Sequence, residues 1–432
     1  RRVCLVTASA LQGERALPTA MSGRRNNSRE LCSTLKRRGA LVLYAGASVI
    51  LLYAALVQVG GQAKSGALSP TPTGAFKGTI SLDAPNSMDA ARDEQPVRTP
   101  KNKRCLAQLS QVQNPILSSA KRSRVRDPAV QVLDGGVREL YYTFYEGEPK
   151  KMWSDTTGYT VQVVTTTDWR TFSSAEPVTP AGYCSPDAPV NWRGSTLLAF
   201  QAYPDKALGG PRSGLFVARR LSEPGRPASW GPPVPFLEEA LTLPWNTIGR
   251  AIDPTLLVGP DGKLHCFFVG SQWVAGAGGK KKVKANLLGH AVTDDAELVQ
   301  WTVLTKDAPL LGASERAKDG VENVAVFRRR DGRFQMIYSE SLSNQHLAYA
   351  VSDDLYTWKD QGPLRLAVSP AEHPWLGGRY GAPYVWREPS GCFLMALMGE
   401  YSMSKTAYHQ SAIGLLASDD GEVWDLAAER RQ

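Results

Sequence analysis

From Asp127 onward, short apolar runs alternate with turn residues in a pattern that returns about every sixty residues. Each return opens with an apolar run, a turn and a second run rich in aromatics. The five openings are DPAVQVLDGGVRELYYTFYEG, APVNWRGSTLLAFQAYP, DPTLLVGPDGKLHCFFVGS, NVAVFRRRDGRFQMIYSE and APYVWREPSGCFLMALMGE. Runs of this length, bounded by Gly, Asp and Ser, predict strands, and the central Gly-Gly, Asp-Gly and Ser-Gly pairs supply the positive φ that hairpin turns need. Each unit then closes on an aromatic: TTTDWRTF at Phe172, ARRLSEPGRPASW at Trp230, TDDAELVQW at Trp301, SDDLYTW at Trp358 and SDDGEVW at Trp424. The closers lie 58, 71, 57 and 66 residues apart. The openers, taken at Asp127, Asp187, Asp253, Glu322 and Gly381, lie 60, 66, 69 and 59 apart. Two independent markers therefore give one count and nearly one period.

About sixty residues accommodate four strands of five or six residues with their turns. Five such units arranged radially predict an all-β, five-bladed β-propeller with four-stranded blades over residues 121–432. A β-sandwich would need the two matching periods to be coincidental. Pro-Phe-Leu-Glu-Glu-Ala-Leu at 235–241 is the one short helical pattern in the region.

Upstream, Ala40–Val59 (ALVLYAGASVILLYAALVQV) carries no charge over twenty residues. A helix of that length spans roughly 30 Å, so it predicts a membrane-crossing signal anchor. Lys36, Arg37 and Arg38 abut its N-terminal side, while Gly60-Gly61-Gln62 follows it. The asymmetry predicts a cytosolic basic tail over 1–39 and a type II orientation, with the remainder in the Golgi or secretory lumen or outside the cell. Residues 60–120, rich in Gly, Ser, Thr, Pro and Lys, predict a disordered stalk. The formal charge of +9 resides in these leading segments: residues 1–38 and 60–126 each carry +7, and 127–432 carries −5. A basic balance confined to tails argues against a nucleic-acid partner. Six cysteines are too few for a disulfide scaffold. Of the four beyond the anchor (Cys105, Cys184, Cys266, Cys392), Cys266 and Cys392 fall in apolar strands and are expected to be core thiols.

Innermost strands of a propeller begin near its axis, so the residues that open the units converge. Four of the five openers carry a carboxylate: Asp127, Asp187, Asp253 and Glu322. Glycoside hydrolysis needs such a set, with one acid to protonate the leaving oxygen and one carboxylate to activate water or attack carbon. A third can raise the acid's pKa by like-charge repulsion. Either Asp-Pro alone would be a turn opener; three acids at the starts of units one, three and four are harder to dismiss.

Asp127-Pro128, Asp253-Pro254 followed by Gly-Pro-Asp-Gly-Lys, Glu322 and the Ser-Asp-Asp-Leu-Tyr-Thr-Trp closer resemble glycoside hydrolase family 43 and the related fructan-processing families of the same five-bladed fold. The resemblance spans roughly residues 120–425. It implies a carbohydrate substrate, a pentose-containing or related polysaccharide or oligosaccharide. It also implies an inverting mechanism with Asp127 as general base, Asp253 as pKa modulator and orienter, and Glu322 as general acid. The fructan relatives would instead use the first acid as a nucleophile and retain configuration. Their Trp-Asn-Asp-Pro opener is missing here, and the histidine that family 43 often places at the fifth blade is replaced by Arg379-Tyr380-Gly381. That puts an axial calcium in doubt, and no metal or other cofactor is expected to be required. Asp187, Trp192, Arg250, Trp273, Arg379 and Tyr380 are the candidate substrate-binding residues, aromatic faces suiting sugar rings and guanidiniums suiting hydroxyls. Trp245 and Trp375 are candidates on the same grounds. A propeller that binds glycans or proteins without cleaving them is the alternative of a different class.

Overall fold

The computed structural model describes residues 103–426, apart from 121, 148–155, 203–212, 223–227, 276–281, 343 and 402–409. The basic tail, the apolar segment 40–59 and residues 60–102 lie outside the described residues; among the described ones, no helix is long and apolar enough to cross a membrane.

Five sheets form the five blades, antiparallel except where the short strand Arg365–Leu366 adds in parallel to Val423–Leu426 at the edge of blade five. Their inner strands are Ser123–Val132, the interrupted pair Tyr183–Cys184 and Val190–Trp192, then Ile252–Val258, Val321–Arg328 and Arg379–Arg387. Each is followed by a second strand that pairs with it, and apart from that edge strand of blade five the sheets continue outward in chain order. The middle strands read as unbroken apolar runs because neighbouring blades cover both faces. Every residue of Phe334–Glu340, Phe393–Glu400 and Ser411–Ser418 is buried. Apolar clusters fill the space between each neighbouring pair of blades, around Phe200, Phe268, Met336, Phe393 and Leu140. The all-β five-bladed propeller expected from the two periods is the fold found.

The closing motifs share one local structure. In blade one, Asp168 accepts backbone N–H bonds from Arg170 and Thr171; in blade four, Asp354 accepts them from Tyr356 and Thr357; in blade five, Asp420 accepts them from Glu422 and Val423. The indole N–H of Trp358 and Trp424 then bonds back to the turn. These aspartates are turn-formers, which is why the motif recurs where no chemistry does.

Two expectations need correction. Residues 103–119, read as the end of a stalk, form a short helix (Lys103–Gln108) and a strand (Leu117–Ser118) that pairs with Ser411–Ser418 of blade five. Leu109 and Val112 are buried in the cluster between blades five and one, and the Asn114 amide bonds both the N–H and the C=O of Leu415 as a strand would. Five apolar side chains within a dozen residues are too few to show as a period, yet they suffice once a groove exists to receive them. Cys392, read as a core thiol, is bonded to Cys105 across 287 residues of sequence. Burial does not distinguish a thiol from a bridge, and the partner sits in the segment read as stalk. Cys184 and Cys266 are free and buried.

Candidate active site

The inner strands share an irregularity. In blade after blade, one residue near the axis adopts a left-handed backbone conformation: Asp127 (φ 47°), Ser185 (φ 49°), Asp253 (φ 50°), Asn323 (φ 48°) and Ala382 (φ 48°). Four of the five precede a proline. Proline cannot donate to a ladder, so a bulge is where it fits inside a sheet. The pairing register slips at the same place in blades one, three, four and five. The bulges mark the structurally equivalent openers, so blade two opens at Ser185 rather than Asp187, and Glu322 lies one residue before the bulge of its blade.

A bulge re-aims the side chains beside it. In blades one to four, the bulge residue and the one before it line a cavity of about 490 Å³: Arg126 and Asp127, Cys184 and Ser185, Ile252 and Asp253, Glu322 and Asn323. Tyr159, Ser213, Arg250, Lys284, Leu342 and Arg379 complete its walls. A volume of this order is that of a small-molecule site. Asp127, Asp253 and Glu322 therefore share one concavity.

Each acid is held differently. Asp127 Oδ2 accepts a hydrogen bond from Ser185 Oγ at 3.2 Å. Asp253 is 8% exposed, and its backbone N–H is gripped by Gln201 Oε1 at 2.7 Å. Burial, then the carboxylates of Glu322 and Asp127, push its pKa well above the ordinary carboxylate range, with Arg250 opposing. Glu322 is clamped by two amides: Asn286 Nδ2 donates to Oε2 at 2.7 Å and Gln345 Nε2 to Oε1 at 2.8 Å. Asn286 is itself oriented by Ser271 Oγ. Gly381 keeps room for this clamp, since a Cβ there would stand 2.6 Å from both the Gln345 amide carbon and Ser339 Oγ.

The remaining candidates separate. Arg250 and Arg379 line the cavity; Arg379 also donates to Glu400 at 2.7 Å. Trp273 is 55% exposed and is paired across the strands with Lys284, but it does not line the cavity. Asp187 does not line this cavity. It is fully buried beside a much smaller axial void and accepts the Leu256 backbone N–H at 2.6 Å, joining blade two to blade three. Burial pushes its pKa up to about 7. Trp192 is also a packing residue, its indole N–H on the Asp295 carbonyl. Trp245 and Trp375 are core residues, and Tyr380 packs against the cluster between blades four and five. Indoles with sugar-binding chemistry and indoles with packing roles look alike in a sequence.

Lys284 went unrecognised. Burial lowers its pKa to about 8, with Glu322 and Asp253 opposing. Ser185, Asn286, Gln345 and Gln201 were equally illegible, being uncharged residues on other elements. For an axial cation, the blade-five bulge offers only the methyl group of Ala382. Among the described residues, the three potential ligands within mutual reach are Cys105, Cys392 and Asp419, far from this site in the fold and with both sulfurs already bonded. No step below is routed through a metal.

No family model matches the sequence, and no curated protein matches it. Solved structures do match the fold. A thermostable family-43 glycoside hydrolase superimposes with a TM-score of 0.53 at 12% identity, covering 74% of this chain and 97% of that one. An RGII complex gives 0.50 at 14% identity, covering 72% and 94%, and a further glycoside hydrolase gives 0.50 at 13%, with the same coverage. The chain thus has the five-bladed fold of family 43 glycoside hydrolases.

Proposed function

We propose that the chain hydrolyses glycosidic bonds of a polysaccharide or oligosaccharide by acid/base catalysis. The observation that carries this reading is the meeting of Asp127, Asp253 and Glu322 in one cavity, on three different blades. Burial and the neighbouring carboxylates of Glu322 and Asp127 push the pKa of Asp253 up to about 8, and hydrolysis needs one acid of the set to supply a proton. Glu322, oriented by Asn286 and Gln345, delivers it to the leaving oxygen. Asp127, steadied by Ser185, takes a proton from the attacking water, and Asp253 sets the field between them. The fold's likeness to family 43 glycoside hydrolases favours inversion and a pentose-containing or related substrate.

The full chain, assayed on aryl arabinofuranosides, xylosides, galactosides and fructosides, should turn over at least one of them. Glu322→Gln should lose about 10²–10⁴ of that rate. Equal turnover in both proteins would mean that another group is the acid. The anomer first released, followed by NMR, checks inversion.

We also propose that residues 40–59 anchor the protein with its propeller in an oxidising compartment. The Cys105–Cys392 bridge supports this reading, because structural disulfides persist in secretory and extracellular settings. Protease protection of the propeller in sealed microsomes is the expected outcome, and digestion there would overturn it.

A further inference from the structure

Blade three carries a long hairpin. Its second and third strands, Leu264–Ala275 and Lys282–Thr293, each run twelve residues, against six to nine for the corresponding strands of the other blades. The extra length lies at one end. The inner strand pairs with Leu264–Val269 from Val258 back to Ile252, and Gly270–Ala275 continue past it, paired with Lys282–Leu287. Ile252 lines the cavity, so the hairpin overshoots the inner strand at the cavity end, by about 20 Å of strand.

Directly paired residues put their side chains on one face of a hairpin, and residues two apart along a strand share that face. Ser271–Asn286 and Trp273–Lys284 are successive pairs of this kind. The first pair holds the acid: Ser271 Oγ donates to Asn286 Oδ1 at 2.8 Å, and Asn286 Nδ2 donates to Glu322 Oε2 at 2.7 Å. The second pair lies about 7 Å further out on the same face. Lys284 lines the cavity, and its ammonium is close enough to Glu322 and Asp253 to be stabilised by both. Trp273 stands beside it, outside the cavity wall, and among the described residues it is the one tryptophan that is more than half exposed. Single exposed apolar side chains are ordinary; the address of this one is not.

A general acid must come within hydrogen-bond reach of the leaving oxygen. The ring attached to that oxygen therefore emerges beside Glu322, and the next pair along the face that holds Glu322 presents the indole of Trp273. An indole offers a broad flat apolar surface, which suits the C–H face of a sugar ring. We infer that Trp273 is the platform for the leaving-group sugar, so that the enzyme cleaves between two sugar rings of a glycan and selects its substrate by the ring it discards. This rests on the reading of Glu322 as the acid. Glu322 gives its proton to the leaving oxygen as the bond to the anomeric carbon breaks, and water, losing a proton to Asp127, supplies the oxygen that takes its place. The departing sugar leaves from the indole.

Glycosyl fluorides provide the contrast, since fluoride is too small to reach the indole and departs with little help from an acid. The unaltered chain and Trp273→Ala are assayed on xylobiose, arabinobiose and galactobiose beside xylosyl, arabinosyl and galactosyl fluoride. The variant should lose at least about tenfold more kcat/KM on a disaccharide than on the fluoride of the same sugar. Trp273→Phe, which keeps an aromatic face, should lose less. Equal losses on the two substrates, or none on either, overturn the inference and leave the hydrolase reading intact. Binding is measured apart from turnover, by calorimetric titration of Glu322→Gln protein with the same disaccharides and with xylose, arabinose and galactose. A disaccharide should bind at least about tenfold tighter than its monosaccharide, and adding Trp273→Ala should remove most of that margin. No margin overturns the platform. A margin that depends on Trp273, without turnover of any disaccharide or fluoride, supports the platform and overturns the hydrolase reading instead.

Discussion

The bulges of blades one and three and those of blades two and five have the same backbone, with φ between 47° and 50°. The first two carry Asp127 and Asp253; the others carry Ser185 and Ala382. One local geometry thus serves as a mounting that the fold repeats, and the side chain placed on it decides whether a blade contributes chemistry or closure. The mounting is itself held by its neighbours. Ser185 N–H is gripped by Thr143 Oγ1, Asp253 N–H by Gln201 Oε1 and Ala382 N–H by Ser339 Oγ, each from the second strand of the preceding blade. Three of the five bulges are thus held by the blade before them, and of these three only Asp253 is an acid.

The sharpest way to break this comparison is to change the same position in two blades. Asp127→Asn should lower turnover by about 10²–10⁴, while Ser185→Ala, which removes a hydroxyl that bonds Asp127 and also hydrogen-bonds Asp253, should cost at most about tenfold. Comparable losses would mean that the bulges are not divided into chemical and structural ones. A smaller effect is expected at Gly381→Ala. The added Cβ must displace Gln345 or Ser339, so Glu322 loses one of its two amide donors. An expected fall of about tenfold in kcat, with KM nearly unchanged, would identify positioning of the acid; a change in KM alone would not.

Asp187 offers the mildest test, in stability rather than rate. Its pKa is near 7 in the folded chain and about 3.9 when unfolded, so the folded state binds the extra proton between these values. The stability it contributes is fully present below about pH 4 and is lost as pH rises to about 7. Asp187→Asn still accepts the Leu256 N–H but cannot ionise. Relative to the variant, the unaltered chain should lose up to roughly 4 kcal/mol of unfolding free energy between about pH 4 and about pH 8, measured by urea titration. A difference that does not vary with pH would show that Asp187 is not held in its neutral form.

The repeat, the blade count and the three acids were legible because each is written locally: runs, turns and charged residues recur at a fixed spacing. Phase was harder. Asp187-Ala-Pro imitates Asp127-Pro and Asp253-Pro closely enough to draw the opener two residues past Ser185, where the acid is buried in the joint between blades. The groups that orient Glu322 left no trace, since Asn286 comes from the third strand of blade three and Gln345 from a turn in blade four. Arg126 and Arg379, which share the cavity, come from one strand of blade one and one of blade five, about 250 residues apart. Such adjacency exists only once the ring is closed.

That closure has a mechanical side. Any pull that reaches the propeller along the chain from its N-terminal side enters at Lys103 and meets the Cys105–Cys392 bond two residues later. The load passes into blade five through a covalent link, with the Asn114 and Leu117–Ser118 contacts in series behind it. Ser123–Val132, which carries Asp127, lies downstream of all of them. Tension entering along that segment is borne by the clasp before it reaches the strand that carries Asp127.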